Sequence, residues 1–257
     1  MAARRTESRT ILCNPDARVR VENDAGRIEA TGWEQDMVEL LVERHAATEA
    51  DLDRLIVEVG GGPDEVRVTY TTSEPGVDGW VDFRLRVPRM AAVDLHNASG
   101  EVLVSGFHGS SRVSTASGSI RAARMSGTAT LTSASGAILG AALEGRVFAR
   151  SASGQVALHG NLTGSHRIET ASGEIVVDGV EGSIDARSAS GDIDVSGVLR
   201  GRCSLRSASG NIRVALMRGS DVAVQSRAMR PNWDHPRGSG VLLIETTSGE
   251  IDFQQEE

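Results

Sequence analysis

Chemistry in this 257-residue chain would have to come from a few carboxylates, the six histidines or one unusual loop. Asp192 and Asp194 flank Ile193, so on a strand both carboxylates face one side, and Glu250 and Asp252 repeat the arrangement around Ile251. Paired carboxylates suit acid–base work on glycosidic bonds, but the preferred reading of both pairs is a solvated outer face. The histidines His45, His96, His108, His159, His166 and His235 fall out of register with one another, which argues against a metal ladder. Serines are abundant, but no His and Asp stand with them at recognisable triad positions. Between Met229 and Gly240 the chain gathers two prolines, Trp233 and His235. Loops held on rigid scaffolds often carry function, which makes Arg230, Trp233, Asp234, His235 and Arg237 the candidate partner-binding residues; the alternative is a lid whose Trp233 plugs the last coils. These readings name no catalytic, cofactor-binding or metal-ligating set.

The elements that must position such residues are repetitive. Asn97-Ala-Ser-Gly100, Thr115-Ala-Ser-Gly118, Ser133-Ala-Ser-Gly136, Ser151-Ala-Ser-Gly154, Thr170-Ala-Ser-Gly173, Ser188-Ala-Ser-Gly191 and Ser207-Ala-Ser-Gly210 place a glycine every 18 or 19 residues. A further copy, Thr246-Thr-Ser-Gly249, lies about two periods beyond Gly210, which predicts that a coil near Gln225–Ala228 has lost its motif. Asn23-Asp-Ala-Gly26 is an early degenerate copy. Within one period Ile175 and Val177 alternate with polar residues, as do Ile184 and Ala186, and Asp178–Gly182 separates them. That is strand, turn, strand, turn, and stacked units of this kind satisfy one another's backbone groups at about 4.8 Å spacing. The fold class is therefore all-β, a single-stranded parallel β-solenoid with coils of about 18 residues. At the corner the glycine is expected at positive φ, the alanine in a tight inner bend, and the hydroxyls on backbone groups.

Between Gly26 and Gly100 the repeat is interrupted. Met37–Glu43, Ile56–Val59, Glu65–Thr72 and Trp80–Val87 read as strands, with a capping-box helix start at Thr48 and a hairpin across Gly60–Asp64. This gives a flexible N-terminus over 1–10, a first coil with a β-rich cap insertion over 11–96, and solenoid repeats over 97–257 with an irregular loop at 229–240.

Aromatics are scarce and small or β-branched residues dominate, which suits thin regular layers over a core of large rings. A net charge of −8 disfavours a surface that tracks nucleic-acid phosphates. Cys13 and Cys203 stand far apart without zinc-ligand spacing. No apolar run suits a signal peptide or a membrane span, so the reading is cytoplasmic, or cell surface if a leader has been removed.

The Ser-Ala-Ser-Gly-x-Ile/Val coils, the early Asn-Asp-Ala-Gly-Arg-Ile copy and the re-entry at Val87-Pro88 resemble the bacterial β-strand-repeat putative adhesin family, also called the toast-rack domain, over roughly Ile11 to Phe253. The resemblance implies a non-enzymatic binding module with no cofactor, presenting polar faces to a protein or glycan partner. The alternatives are a self-assembling cytoplasmic scaffold, hence a homo-oligomer, and, last, a carbohydrate-active enzyme.

Overall fold

The computed structural model describes residues 3–72, 77–226 and 238–255. They form two compact units, Met1–Gly127 and Thr128–Glu257. Both are built of strands, and among the described residues no helix is long and apolar enough to cross a membrane.

The first unit contains β1 (Ala3–Leu12), β2 (Arg18–Ala25), β3 (Ile28–Trp33), β4 (Met37–Ala46), the single helical turn α1 (Glu49–Leu52), β5 (Leu55–Gly62), β6 (Glu65–Thr72), β7 (Gly79–Pro88), β8 (Ala92–Ser99), β9 (Val102–Ser105), β10 (Ser110–Thr115) and β11 (Ile120–Met125). Strands one period apart pair in parallel: Val113 lies opposite Leu95, and Ile120 opposite Val102. The early motif copy joins the stack directly, because β2 pairs with β8 so that Asn23 meets Asn97, and β3 pairs with β9. The intervening excursion folds outward: β6 covers the other edge of β2, and β7 that of β3. β5 then adds to β6, and β4 to β7, both antiparallel. Thr48 caps α1 through its side chain, as its capping box predicts.

The N-terminus departs from expectation. Residues 3–12 form β1, fully paired with β4 from Ala3–Ala46 to Leu12–Met37. No hydrophobic alternation announces this strand. It is held by its ladder and by charge pairs, Arg4 with Glu43 at 2.7 Å, Arg5 with Asp53 at 2.7 Å, and the half-buried Glu7 with Arg44 at 3.1 Å.

The second unit contains β12 (Thr128–Ser133), β13 (Ile138–Ser151), β14 (Val156–His159), β15 (Leu162–Thr170), β16 (Ile175–Ser188), β17 (Ile193–Leu199), β18 (Arg202–Ser207), β19 (Ile212–Leu216), β20 (Val222–Ser226), β21 (Gly240–Thr246) and β22 (Ile251–Gln255). Every pairing among these is parallel. On the face preceding the corner the order is β12, β13, β15, β16, β18, β21, β20. On the face following it the order is β13, β14, β16, β17, β19, β22. The glycine-rich turns expected between the two strands of a coil are in two cases no interruption: β13 and β16 run unbroken through both faces.

The coil expected near 225–228 does not lie between the Gly210 and Gly249 copies. β21 lies directly on β18, with Leu242 opposite Cys203, and β22 directly on β19. The described residues of the surplus segment form β20 beyond β21, so β21 sits between β18 and β20.

Inward residues repeat down each column. Ile138, Val156, Ile175, Ile193 and Ile212 are all at most 1% exposed. Burial of an aliphatic side chain of that size contributes about 1.5–3 kcal/mol. The corner joins these columns by a hydroxyl ladder. Ser188 Oγ accepts the Gly191 amide proton at 2.7 Å and donates to the Gly173 carbonyl of the preceding coil at 3.5 Å. Ser151, Thr170 and Ser207 repeat both bonds, and Asn97 takes the same place at the first junction, donating to the Gly26 carbonyl at 2.8 Å.

Two corner expectations are corrected. The inward residue is the first of the motif, whereas Ala152, Ala171, Ala189 and Ala208 are exposed. Positive φ is found at Gly26 and Gly100, at 113° and 119°, but not at Gly154, Gly173, Gly191 or Gly210. The later glycines are required by close approach instead: a Cβ on Gly191 would lie 1.9 Å from the Gly173 carbonyl oxygen.

Candidate binding face and a mixed-ligand cluster

Parallel register makes each outward position of the second unit a column. Ahead of the corner, one column runs Thr132, Arg150, Glu169, Arg187, Arg206, Glu245, and its neighbour runs Thr130, Phe148, Arg167, Asp185, Ser204, Leu243. Arg146 and Arg202 stand one position further from the corner. Arg167 pairs with Glu169 at 2.6 Å and lies over the Phe148 ring at 5.9 Å. Arg187 pairs with Asp185 at 2.9 Å and Arg206 with Glu245 at 2.7 Å. Glu169, Asp185 and Glu245 in these columns are thus committed to arginines; Glu144 and Glu181 stand one position beyond Arg146, Glu181 at 3.5 Å from Arg200. Arg146, Arg150 and Arg202 are exposed and have no ion pair among the described residues, so the face carries surplus positive charge. A depression of about 380 Å³ lies on it between Arg187, Arg202 and Arg206 on one side and Gln225 and Leu243 on the other.

The face following the corner has the opposite sign. Asp178, Asp194 and Asp252 occupy its outward columns, Glu174, Asp192 and Glu250 its turns, and Arg213 is its cation. The carboxylate pairs singled out from sequence lie here. Asp192 and Asp194 do share a side, but Asp192 Oδ1 accepts the Asn211 amide proton at 2.8 Å, and Asp194 stacks between Val176 and Arg213. Glu250 donates its backbone amide to Asn211 Oδ1 at 2.9 Å. These are links of a turn ladder between coils. The loop residues Arg230, Trp233, Asp234, His235 and Arg237 lie outside the described residues.

The histidines have separate fates. His166 is 1% exposed in the core column between Val147 and Ile184, hydrogen-bonds the Leu162 carbonyl at 3.0 Å, and has its pKa lowered by burial. His96 Nδ1 shares a hydrogen bond with Ser114 Oγ at 2.9 Å. Burial raises the pKa of both cysteine thiols, and both are free.

One cluster escaped sequence reasoning. In the first unit Glu43, His45 and Asp82 bring their ligand atoms within 4.8 Å of one another. Glu43 and Asp82 are directly opposed across β4 and β7, and His45 is opposed to Trp80. The signal was the strand alternation that sets Glu43 and His45 on one side of β4; the register with β7 could not be read locally.

Comparisons with known proteins address the fold. A putative lipid-binding protein from Parabacteroides distasonis superposes with a TM-score of 0.59 at 14% identity, over 98% of this chain and 97% of that one. A putative adhesin from Bacteroides fragilis superposes with a TM-score of 0.52 at 11% identity, over 97% of each chain. At such identities the likeness concerns architecture alone. No curated protein matches the sequence. Residues 145–237 match the family profile described as Toastrack DUF4097, so the toast-rack resemblance carried by the Ser-Ala-Ser-Gly corners is borne out over that segment.

Proposed function

We propose that the chain is a parallel β-solenoid that serves as a non-catalytic binding module, its first coil and cap over 11–96 and its repeats over 97–257. The observation that carries this reading is the row of uncommitted guanidinium groups, Arg146, Arg150 and Arg202, on the face ahead of the corner in a chain of net charge −8. Guanidinium forks match carboxylates in two-point geometry. The partner is therefore a protein or glycan whose surface carries carboxylates. The structural neighbours named as putative adhesin and putative lipid-binding protein are consistent with a binding role. The loop with Arg230, Trp233, Asp234, His235 and Arg237 is the second contact proposed.

The test is retention on immobilised polygalacturonate and polyglutamate at low and at physiological salt. The wild-type chain is retained on at least one, and Arg146→Glu/Arg150→Glu/Arg202→Glu elutes in the void with unchanged far-ultraviolet circular dichroism. Retention on polygalacturonate alone selects a glycan, and on polyglutamate alone a protein. Equal retention of the triple variant and the wild type refutes the assignment of this face.

A further inference from the structure

We propose that Glu43, His45 and Asp82 bind a divalent transition-metal cation of the zinc type. Imidazole beside carboxylates selects such ions over magnesium or calcium, which prefer oxygen alone. His45 Nε2 is buried and has no hydrogen-bond partner, although Asp82 Oδ2 stands only 3.3 Å away. Two ligand atoms on a tetrahedral zinc shell, each at roughly 2.0–2.1 Å from the metal, stand about 3.3–3.5 Å apart. The His45–Asp82 approach already has that spacing and is not a hydrogen bond.

The surroundings hold the ligands as a metal site requires. Trp80 stacks on the imidazole with ring centroids 4.9 Å apart and planes 9° from parallel, which fixes the ring. Asp82 spends Oδ1 on the Arg27 amide at 2.7 Å and leaves Oδ2 turned to His45. Glu43 likewise meets Arg4 through Oε1 at 2.7 Å and keeps Oε2. Supporting bonds of this kind orient metal ligands and are part of their affinity. All three ligands are half-buried, and an open depression of about 220 Å³ lined by Arg27, Glu29, Glu43, Asp82, Phe83 and Arg84 reaches the two carboxylates from solvent.

The test is calorimetric titration of the untagged full chain with zinc sulfate after chelator treatment, with Cu²⁺ quenching of tryptophan fluorescence as the second readout. The expected result is one zinc per chain, at least tenfold weaker binding in His45→Gln, and Cu²⁺ quenching that falls with it because Trp80 touches the imidazole. Glu43→Gln is the second variant, should His45→Gln fail to fold by circular dichroism, and it is expected to weaken zinc binding in the same direction. Absence of zinc binding by the wild-type chain overturns the proposal, as does undiminished affinity in a folded variant.

Discussion

Each corner hydroxyl in the second unit makes two bonds, and they can be removed separately from the steric role of the glycine three residues later. Ser188→Ala leaves the buried Gly191 amide without its acceptor, which costs about 1–3 kcal/mol. Ser188→Thr keeps the hydroxyl, as Thr170 does in the preceding coil, and is expected to cost less than Ser188→Ala. Gly191→Ala is the severest of the three, because its Cβ would meet backbone 1.9 Å away and the coils cannot yield cheaply. Urea denaturation of the three variants checks the order Thr, Ala, then the glycine substitution. His166 gives a second residue-scale prediction. Its pKa is lowered from 6.5 in the fold, so below pH 6.5 the unfolded chain binds more protons and stability falls on acidification. Replacement by valine, which continues the aliphatic column of Val147 and Ile184, is expected to reduce the loss of melting temperature between pH 7 and pH 5. At this scale the sequence revealed that serine, alanine, serine and glycine make a corner, but not which Cβ points inward. A motif that recurs once per coil has no internal alternation to orient it, and the alanine was placed on the wrong side.

Strand existence was legible almost throughout, because β-branched and small residues alternate within each coil. Pairing was legible only where the period was unbroken. The distance from Gly210 to Gly249 suggested two coils, whereas β21 lies directly on β18 and the surplus chain builds β20 outside it. The same thing happens at the other interruption, where β2 and β3 reach across the excursion to β8 and β9. Both insertions therefore leave the repeat register intact and place their own strands on its outer side. It follows that β20 is dispensable for the coil it covers. Deleting Ser220–Ser239 shortens the long period to 19 residues and keeps Gly240, which passes close to the Gly201 carbonyl, in place. The shortened chain is expected to retain its β-sheet circular dichroism but to self-associate, since β21 then presents a bare edge of backbone donors and acceptors. Its mass by light scattering should rise with concentration while the parent's does not. Loss of the circular dichroism signal would mean instead that β20 is integral to the stack.

For the molecule as a whole the question is whether stacked strands invite more strands, since a self-assembling scaffold was the alternative to a binding module. A parallel stack offers unpaired backbone at its last rung, and proteins blunt such edges with charged side chains turned toward the covered side. β1 is such an edge in the first unit: Arg5, Glu7 and Arg9 share the side of the strand that meets buried Arg44, and Arg5 is tied to Asp53 at 2.7 Å and Arg9 to Glu7 at 2.6 Å. A strand added beyond β1 would have to pack against these charges or strip them of their partners. This reading was closed to the sequence, in which Arg4–Arg9 looks like a polar tail because its ordering comes from β4 and α1, far along the chain. Replacing Arg5 and Arg9 by valine, with Glu7 kept because it pairs with buried Arg44, tests it. The variant keeps the ladder to β4 and gains β propensity, so it is expected to fold and to form oligomers or fibres at micromolar concentration, whereas the wild-type chain stays of constant mass. If the wild-type chain itself lengthens into filaments under the same conditions, the charges do not guard this edge and the scaffold reading gains over the binding module. If the variant remains monomeric, protection lies in the twist and shortness of the edge, not in its charge.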